Sequence, residues 1–136
     1  MVWNLNLYLF LISCLSFAVI CHGSLVGGYI DIKTTRNDVH DAVKFAVTEF
    51  NKMANYANLF KPINIVLAKS QVVAGTNYMV VVDIGQTECR KNHAGDACDV
   101  ENSKVSEVLR CTFKVYKSLP LPESHYELKE HKCEAQ

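Results

Sequence analysis

The sequence predicts an α+β domain in which one long helix packs on an antiparallel β-sheet. The first observation is a change of hydrophobic period. Apolar residues recur with helical spacing over residues 37–54, and with strand-like spacing from residue 62 onwards. The second observation is that turn-forming segments separate the strand-like runs, which favours antiparallel neighbours. The chain of 136 residues shows no internal repeat, as expected for one domain.

Residues 1–23 differ in composition from the rest and are predicted to be a secretory signal peptide. They contain no Asp, Glu, Lys or Arg, and their middle is almost entirely apolar. Cys21 and Gly23 supply small residues at the −3 and −1 positions of a cleavage site before Ser24. An uncleaved membrane anchor is the alternative, which the short apolar run disfavours. We therefore expect a secreted domain of residues 24–136.

The helix is predicted over residues 37–54, with the sequence NDVHDAVKFAVTEFNKMA. Asn37 or Thr35 is expected to cap its first N–H groups. The i, i+3, i+4, i+7 spacing places one apolar stripe on the helix, and charged residues occupy the opposite face. The stripe consists of Val39, Ala42, Val43, Ala46, Val47, Phe50 and Ala54.

Four strands are predicted after the helix, each rich in β-branched or aromatic residues. Hairpin joints are expected at Gly75, at residues 92–96 and at residues 118–123. Gly75 suits a tight turn because glycine tolerates positive φ. The predicted strands cover residues 62–70, 78–84, 105–117 and 126–133.

Six cysteines divide between the predicted signal peptide and the domain. Four remain in the domain, and secretion favours disulfides between them. Three pairings are possible, of which the nearest-neighbour one closes loops compatible with a hairpin at each end. A zinc site is disfavoured because no C-x-x-C occurs and no histidine has finger-like spacing. The four are Cys89, Cys98, Cys111 and Cys133.

Charge and motif content exclude several function classes. The chain has 14 basic and 14 acidic residues, without a run of like charge, so we expect no nucleic-acid partner. No motif for a cofactor, a metal or membrane association is found in the domain. The histidines at positions 22, 40, 93, 125 and 131 have no visible Ser or Cys partner, so we do not expect an enzyme.

Three short apolar segments are expected to be exposed. They are LVGG at residues 25–28, QVVAG at residues 71–75 and SLPLP at residues 118–122. The alternative for QVVAG is a plain hairpin whose valines face the sheet. Three exposed apolar segments in one small domain favour a single docking surface.

These segments resemble the secreted (family 2) cystatins, which inhibit papain-like cysteine proteases. The resemblance also rests on the helix core AVKFAVTEFNK at residues 42–52, on TNY after QVVAG, and on four cysteines in the family's order. It implies a five-stranded antiparallel sheet wrapped around the helix. It also implies the pairings Cys89–Cys98 and Cys111–Cys133.

The resemblance further implies which residues contact the protease. Leu25 and Val26 would fill non-primed subsites, with Gly27 as a hinge. A first hairpin loop would cover the catalytic cysteine sterically and reversibly, and a second would bind beside it. The first loop consists of Gln71, Val72, Val73, Ala74 and Gly75, and the second contains Pro120 and Leu121.

The second loop departs from the family pattern, which has Pro-Trp where this chain has Pro120-Leu121. Loss of a Trp anchor costs about 1–3 kcal/mol in binding unless Leu119 and Leu121 compensate. The rival function is a divergent binding module on the same scaffold, with weak or no inhibition.

Two further expectations concern partners. Some cystatins use an Asn after the helix to block legumain, and Asn55 has that place; the alternative is a polar residue that ends the helix. The protein is expected to be a monomer, with a domain-swapped dimer through residues 72–75 as the alternative.

Overall fold

The structure is a computed structural model that describes residues 27–92 and 97–136. The elements, in chain order, are β1 (Ile30–Asp31), α1 (Asn37–Met53), β2 (Asn58–Val73), β3 (Gly75–Arg90), β4 (Val108–Lys117) and β5 (Tyr126–Ala135). The strands form one antiparallel sheet in the order β1-β2-β3-β4-β5. This confirms the predicted fold class.

Part of the sequence prediction concerns residues outside the described ranges. These are the signal peptide of residues 1–23, the contact residues Leu25 and Val26, and residues 93–96 of one predicted hairpin joint.

The helix α1 packs against all four long strands and buries the predicted stripe from Val39 to Phe50. Ala54, the last predicted member, follows the end of the helix and is half-buried. Phe50 lies in the last turn of α1, with its ring edge-on to Phe60 and Phe113 at centroid distances of 5.5 Å and 6.2 Å. Full burial of such a side chain contributes about 1.5–3 kcal/mol to stability. Within residues 27–92 and 97–136, no helix is long and apolar enough to cross a membrane. The buried helix residues are Val39, Ala42, Val43, Ala46, Val47 and Phe50.

The start of the helix differs from the prediction. Arg36 occupies the N-cap position, without a side-chain cap hydrogen bond, so the predicted cap by Asn37 or Thr35 is wrong. The Asp38 carboxylate instead accepts a hydrogen bond from the Val39 N–H at 3.1 Å. This places a negative charge at the positive end of the helix dipole.

The strand β4 begins at Val108, later than the predicted Val105. Val105 instead packs over the sheet at Gly85, where a Cβ added to Gly85 would be 2.3 Å from Val105 Cγ1.

Both expected disulfides are present. Cys89–Cys98 ties the β3–β4 connection to the end of β3, and Cys111–Cys133 joins a register pair of β4 and β5.

Candidate functional site

Three segments meet at one end of the sheet, which we call the loop end. They are Gly27–Gly28, the first hairpin at residues 71–75 and the second hairpin at residues 118–125. The register places them together, because Lys117 pairs both with Thr76, just after the first turn, and with Tyr126, just after the second. Gly27 joins them through a hydrogen bond to the first hairpin.

The first hairpin is as tight as the sequence predicts. Val73 pairs with Gly75, which leaves Ala74 as the one residue between β2 and β3. Gly75 has a φ of +115°, and an added Cβ would lie 2.5 Å from the carbonyl oxygen of Lys117. Any larger residue would therefore be strained and would push the hairpins apart.

The apolar side chains of the first hairpin point partly to solvent. Val72 is 74% exposed, so the alternative in which both valines face the sheet does not hold for it. Val73 is half-buried and Ala74 is exposed. Since a β-branched side chain has few rotamers, a partner can cover this tip at a small cost in side-chain entropy.

The N-terminal segment is tied to the first hairpin by one side chain. Gln71 donates from Nε2 to the carbonyl oxygen of Gly27 at 2.7 Å, and its Oε1 accepts a hydrogen bond from Asn77 Nδ2 at 3.1 Å. A Cβ added to Gly27 would meet no atom within 4 Å. Gly27 is therefore the point at which the described N-terminal segment is held to the first hairpin.

The second hairpin presents two leucines on a closed base. Leu121 is 82% exposed and Leu119 is 51% exposed. Ser118 and His125 close the base: the Ser118 N–H donates to the His125 carbonyl oxygen, and the His125 N–H donates to Ser118 Oγ, both at 2.9 Å. Pro120 lies between the leucines and is exposed. The apolar surface of this hairpin is therefore aliphatic.

A polar cluster anchors the sheet behind the first hairpin to the helix. The buried Tyr78 donates from its hydroxyl to Asp38 Oδ2 at 2.8 Å, and Arg36 forms a two-point ion pair with the same carboxylate at 2.7 and 2.9 Å. The Arg36 guanidinium lowers the pKa of Asp38. Burial, assisted by the Asp38 carboxylate, raises the pKa of the Tyr78 hydroxyl. The cluster therefore holds a charged carboxylate and a neutral phenol at neutral pH.

Asn55 lies at the opposite end of the sheet, in the connection between α1 and β2, and is exposed. Lys91 is hydrogen-bonded to both sides of this connection. Its Nζ donates to the Ala54 carbonyl oxygen at 2.6 Å, and its backbone N–H donates to the Ala57 carbonyl oxygen at 3.0 Å. Asn55 is thus separate from the loop end.

The loop end has the chemistry of a contact surface. Across residues 27–92 and 97–136, no three His, Cys, Asp or Glu side chains come together as metal ligands. The four cysteines of the domain are all in disulfides, so none is a free nucleophile.

One residue of the loop end that the sequence does not predict is Tyr116, whose hydroxyl donates a hydrogen bond to the carbonyl oxygen of Ala74. Only the alternation of β4 signals that its side chain leaves the core face.

The fold and the loop end together define a cystatin-type domain, with one helix packed on five antiparallel strands and three exposed segments at one end. Residues 27–119 match the family model for the cystatin domain. The chain belongs to the cystatin family, whose members inhibit cysteine proteases and are not enzymes.

Individual relatives agree with this assignment. The chain is 38% identical over 96 residues to cystatin-C of Bos taurus, across 69% of this chain and 65% of that protein. It is 31% identical over 117 residues to a cystatin of Oncorhynchus mykiss, across 85% and 87% of the two chains. The crystal structure of dimeric human cystatin F matches with a TM-score of 0.70 and 28% identity, across 86% of this chain and 94% of that one.

Proposed function

We propose that this chain is a secreted, reversible inhibitor of papain-like cysteine proteases that fills the active-site cleft with the loop end. The observation that carries the proposal is the position of the three segments. Gly27, the Val72–Gly75 tip and the Leu119–Leu121 tip lie side by side, and each offers small or apolar groups to a partner.

The proposed block is steric and uses no covalent step. The carbonyl oxygen of Ala74, at the first tip, accepts the hydrogen bond of the Tyr116 hydroxyl. It is therefore directed towards β4, away from a nucleophile that approaches the tip. A cleft occupied in this way loses access to substrate, and the inhibitor leaves intact when it dissociates.

The second hairpin sets the expected strength of inhibition. Leu121 stands where the family pattern has Trp, and a Trp anchor contributes about 1–3 kcal/mol to many interfaces. The exposure of Leu119 and Leu121 provides aliphatic contacts in its place. We expect inhibition that is retained and weaker than with a Trp by about one to two decades in Kd.

The test is a titration of papain and of cathepsins B, L and S with the refolded protein from Ser24, followed with a fluorogenic peptide. Inhibition that is reversed on dilution supports the proposal. The variant Val73→Asp is expected to weaken inhibition by about 100-fold or more, about 3 kcal/mol, because it buries an unpaired charge in the cleft.

Val66→Asp is the matched control for this variant. Val66 is 42% exposed on the same strand, away from the loop end, so the same change of side chain should leave inhibition unchanged. If the disulfide-bonded monomer does not inhibit at micromolar concentration, the proposal is wrong and the fold serves as a non-inhibitory binding module.

Legumain is the second proposed target, through Asn55. The support is that Asn55 is exposed on a connection held by Lys91, at the end of the sheet opposite to the loop end. Two separate proteases would then bind two separate ends. Residual legumain activity in excess protein, compared with Asn55→Lys, tests this: full activity with the unmodified protein contradicts it.

We propose that the active form is a monomer. Human cystatin F, by contrast, has been crystallised as a dimer. In this chain, strand exchange through the one-residue turn at Ala74 would hide the first hairpin. Size-exclusion chromatography with an inhibition assay on each fraction tests this, since inhibition confined to a dimer peak would contradict the proposal.

A further inference from the structure

Tyr116 lies between the two hairpins of the loop end and touches both. Its hydroxyl donates a hydrogen bond to the carbonyl oxygen of Ala74, 42 residues earlier in the chain. Its ring lies against Gly75, because a Cβ on this glycine would be 2.8 Å from both Cε2 and the hydroxyl oxygen of Tyr116. The first hairpin therefore contacts this side chain at both Ala74 and Gly75.

The same ring contacts the base of the second hairpin. Its centroid is 6.5 Å from the imidazole of His125 in an edge-to-face arrangement. Lys129 Nζ lies 5.7 Å from the ring centroid, in a cation–π contact. His125 is one of the two residues that close the second hairpin, through 2.9 Å hydrogen bonds with Ser118.

We infer that Tyr116 is a positioning residue that fixes the tip of the first hairpin relative to the second, so that both present one surface. This inference rests on the proposed inhibitory function. Val72 is 74% exposed and the turn is a single residue, and the Tyr116 hydroxyl is a side-chain contact from β4 that restrains the Ala74 peptide. A tip that is held before binding loses less conformational entropy on association.

The test variant is Tyr116→Phe, which removes the hydroxyl and keeps the ring against Gly75. Tyr56→Phe is the matched control. The Tyr56 ring packs on Phe60 at the other end of the sheet, and its hydroxyl makes no hydrogen bond within the part of the chain that the structure describes. We expect both variants to fold, with a small drop in the thermal melt of Tyr116→Phe for the lost hydrogen bond and no change for Tyr56→Phe.

Two measurements separate positioning from stability. The first is amide hydrogen exchange of the free protein at residues 73–76, which we expect to be faster in Tyr116→Phe alone. The second is papain inhibition, for which we expect a rise in Kd of about 3- to 10-fold, the value of one net hydrogen bond. Most of this rise should be faster dissociation.

A double variant shows whether Tyr116 acts through the first hairpin. In the Val73→Asp background, where this hairpin no longer fits the cleft, Tyr116→Phe should cause no further loss of inhibition. A full further loss would mean that Tyr116 contacts the protease itself, which overturns the inference.

The remaining outcomes are equally decisive. Unchanged exchange at residues 73–76 in Tyr116→Phe overturns the inference, whatever the papain result. An equal loss of inhibition in Tyr56→Phe also overturns it, because the effect would then be general. If the unmodified protein does not inhibit papain while exchange is faster in Tyr116→Phe, the positioning role is supported and the proposed function fails.

Discussion

The side chain of Gln71 donates a hydrogen bond to the carbonyl oxygen of Gly27 at 2.7 Å, across 44 positions in sequence. The first hairpin and the N-terminal segment are therefore joined before any partner binds. Asn77 donates to the Oε1 of the same Gln71, which fixes the orientation of the amide. Gln71 thus holds the N-terminal segment to the first hairpin, in addition to its proposed contact with a protease.

Gln71→Leu keeps the size of this side chain and removes both hydrogen bonds. We expect the Kd for papain to rise about fivefold, since a net hydrogen bond contributes about 1 kcal/mol. The control is a protein that begins at Gly28, in which the segment is already absent. In that protein the same substitution should raise the Kd for papain much less. An equal rise in Kd in both proteins would show that Gln71 acts through its own protease contact alone.

Gly75→Ala tests the packing of the first turn. The added methyl group would lie 2.5 Å from the Lys117 carbonyl oxygen at a φ of +115°, so we expect a loss of about 1–3 kcal/mol in the free energy of unfolding. Gly28→Ala is the matched control, because its Cβ would meet no atom within 4 Å. Urea unfolding compares the two, and equal midpoints would contradict the close approach of the hairpins.

The Gly75 turn and the buried face of the helix are the features that the sequence predicts best. The hydrophobic period of the helix predicts its buried stripe from Val39 to Phe50, because each position depends only on neighbours along one helix. It fails at Ala54, which lies just beyond the last helical residue. The tight turn at Gly75 likewise follows from local chemistry, and the structure confirms its positive φ. Local rules of this kind need no knowledge of the sheet register.

What the sequence did not predict is non-local or very short. The strand Ile30–Asp31 has two residues, too few to show a period, and it exists because it pairs with Lys69 and Ser70. The contacts of Tyr116 with Ala74 and of Gln71 with Gly27 depend on strand register and on one rotamer each. Neither contact can be predicted from the composition or from the spacing of residues.

Asp38 should make stability depend on pH at the acid end. Its pKa is lowered in the folded protein, chiefly by Arg36, so the stabilisation is present above the unfolded value of about 3.9. It is lost as pH falls through the lower folded value. Asp38→Asn should flatten this part of the pH profile and lower stability at neutral pH by about 1 kcal/mol, allowing for partial exposure.

Asp41→Asn is the control, since Asp41 is an exposed carboxylate on the same helix. The measurement is the urea midpoint at a series of pH values between 7 and 2. In Asp41→Asn this midpoint should fall with decreasing pH as steeply as in the unmodified protein. If Asp38→Asn keeps that slope as well, the cluster of Arg36, Asp38 and Tyr78 does not control acid stability.

Leu121→Ala tests the second hairpin. Since Leu121 is 82% exposed, its side chain adds little to folding, and we expect no change in the thermal melt. Its removal should raise the Kd for papain about 5- to 10-fold, the effect of losing a buried aliphatic contact at an interface. Ile63→Ala, a change of similar size at a 50% exposed site outside the loop end, should leave the Kd unchanged.

Leu121→Trp gives the opposite change at the same position. A Trp at an exposed hairpin tip buries more apolar area in a cleft than Leu does, so we expect a lower Kd without a change in stability. Inhibition constants for papain across Ala, Leu and Trp at this position should fall in that order. A flat series would place the second hairpin outside the contact and assign the affinity to Gly27 and the first hairpin, since the exposure of Leu121 leaves it no other role in the fold.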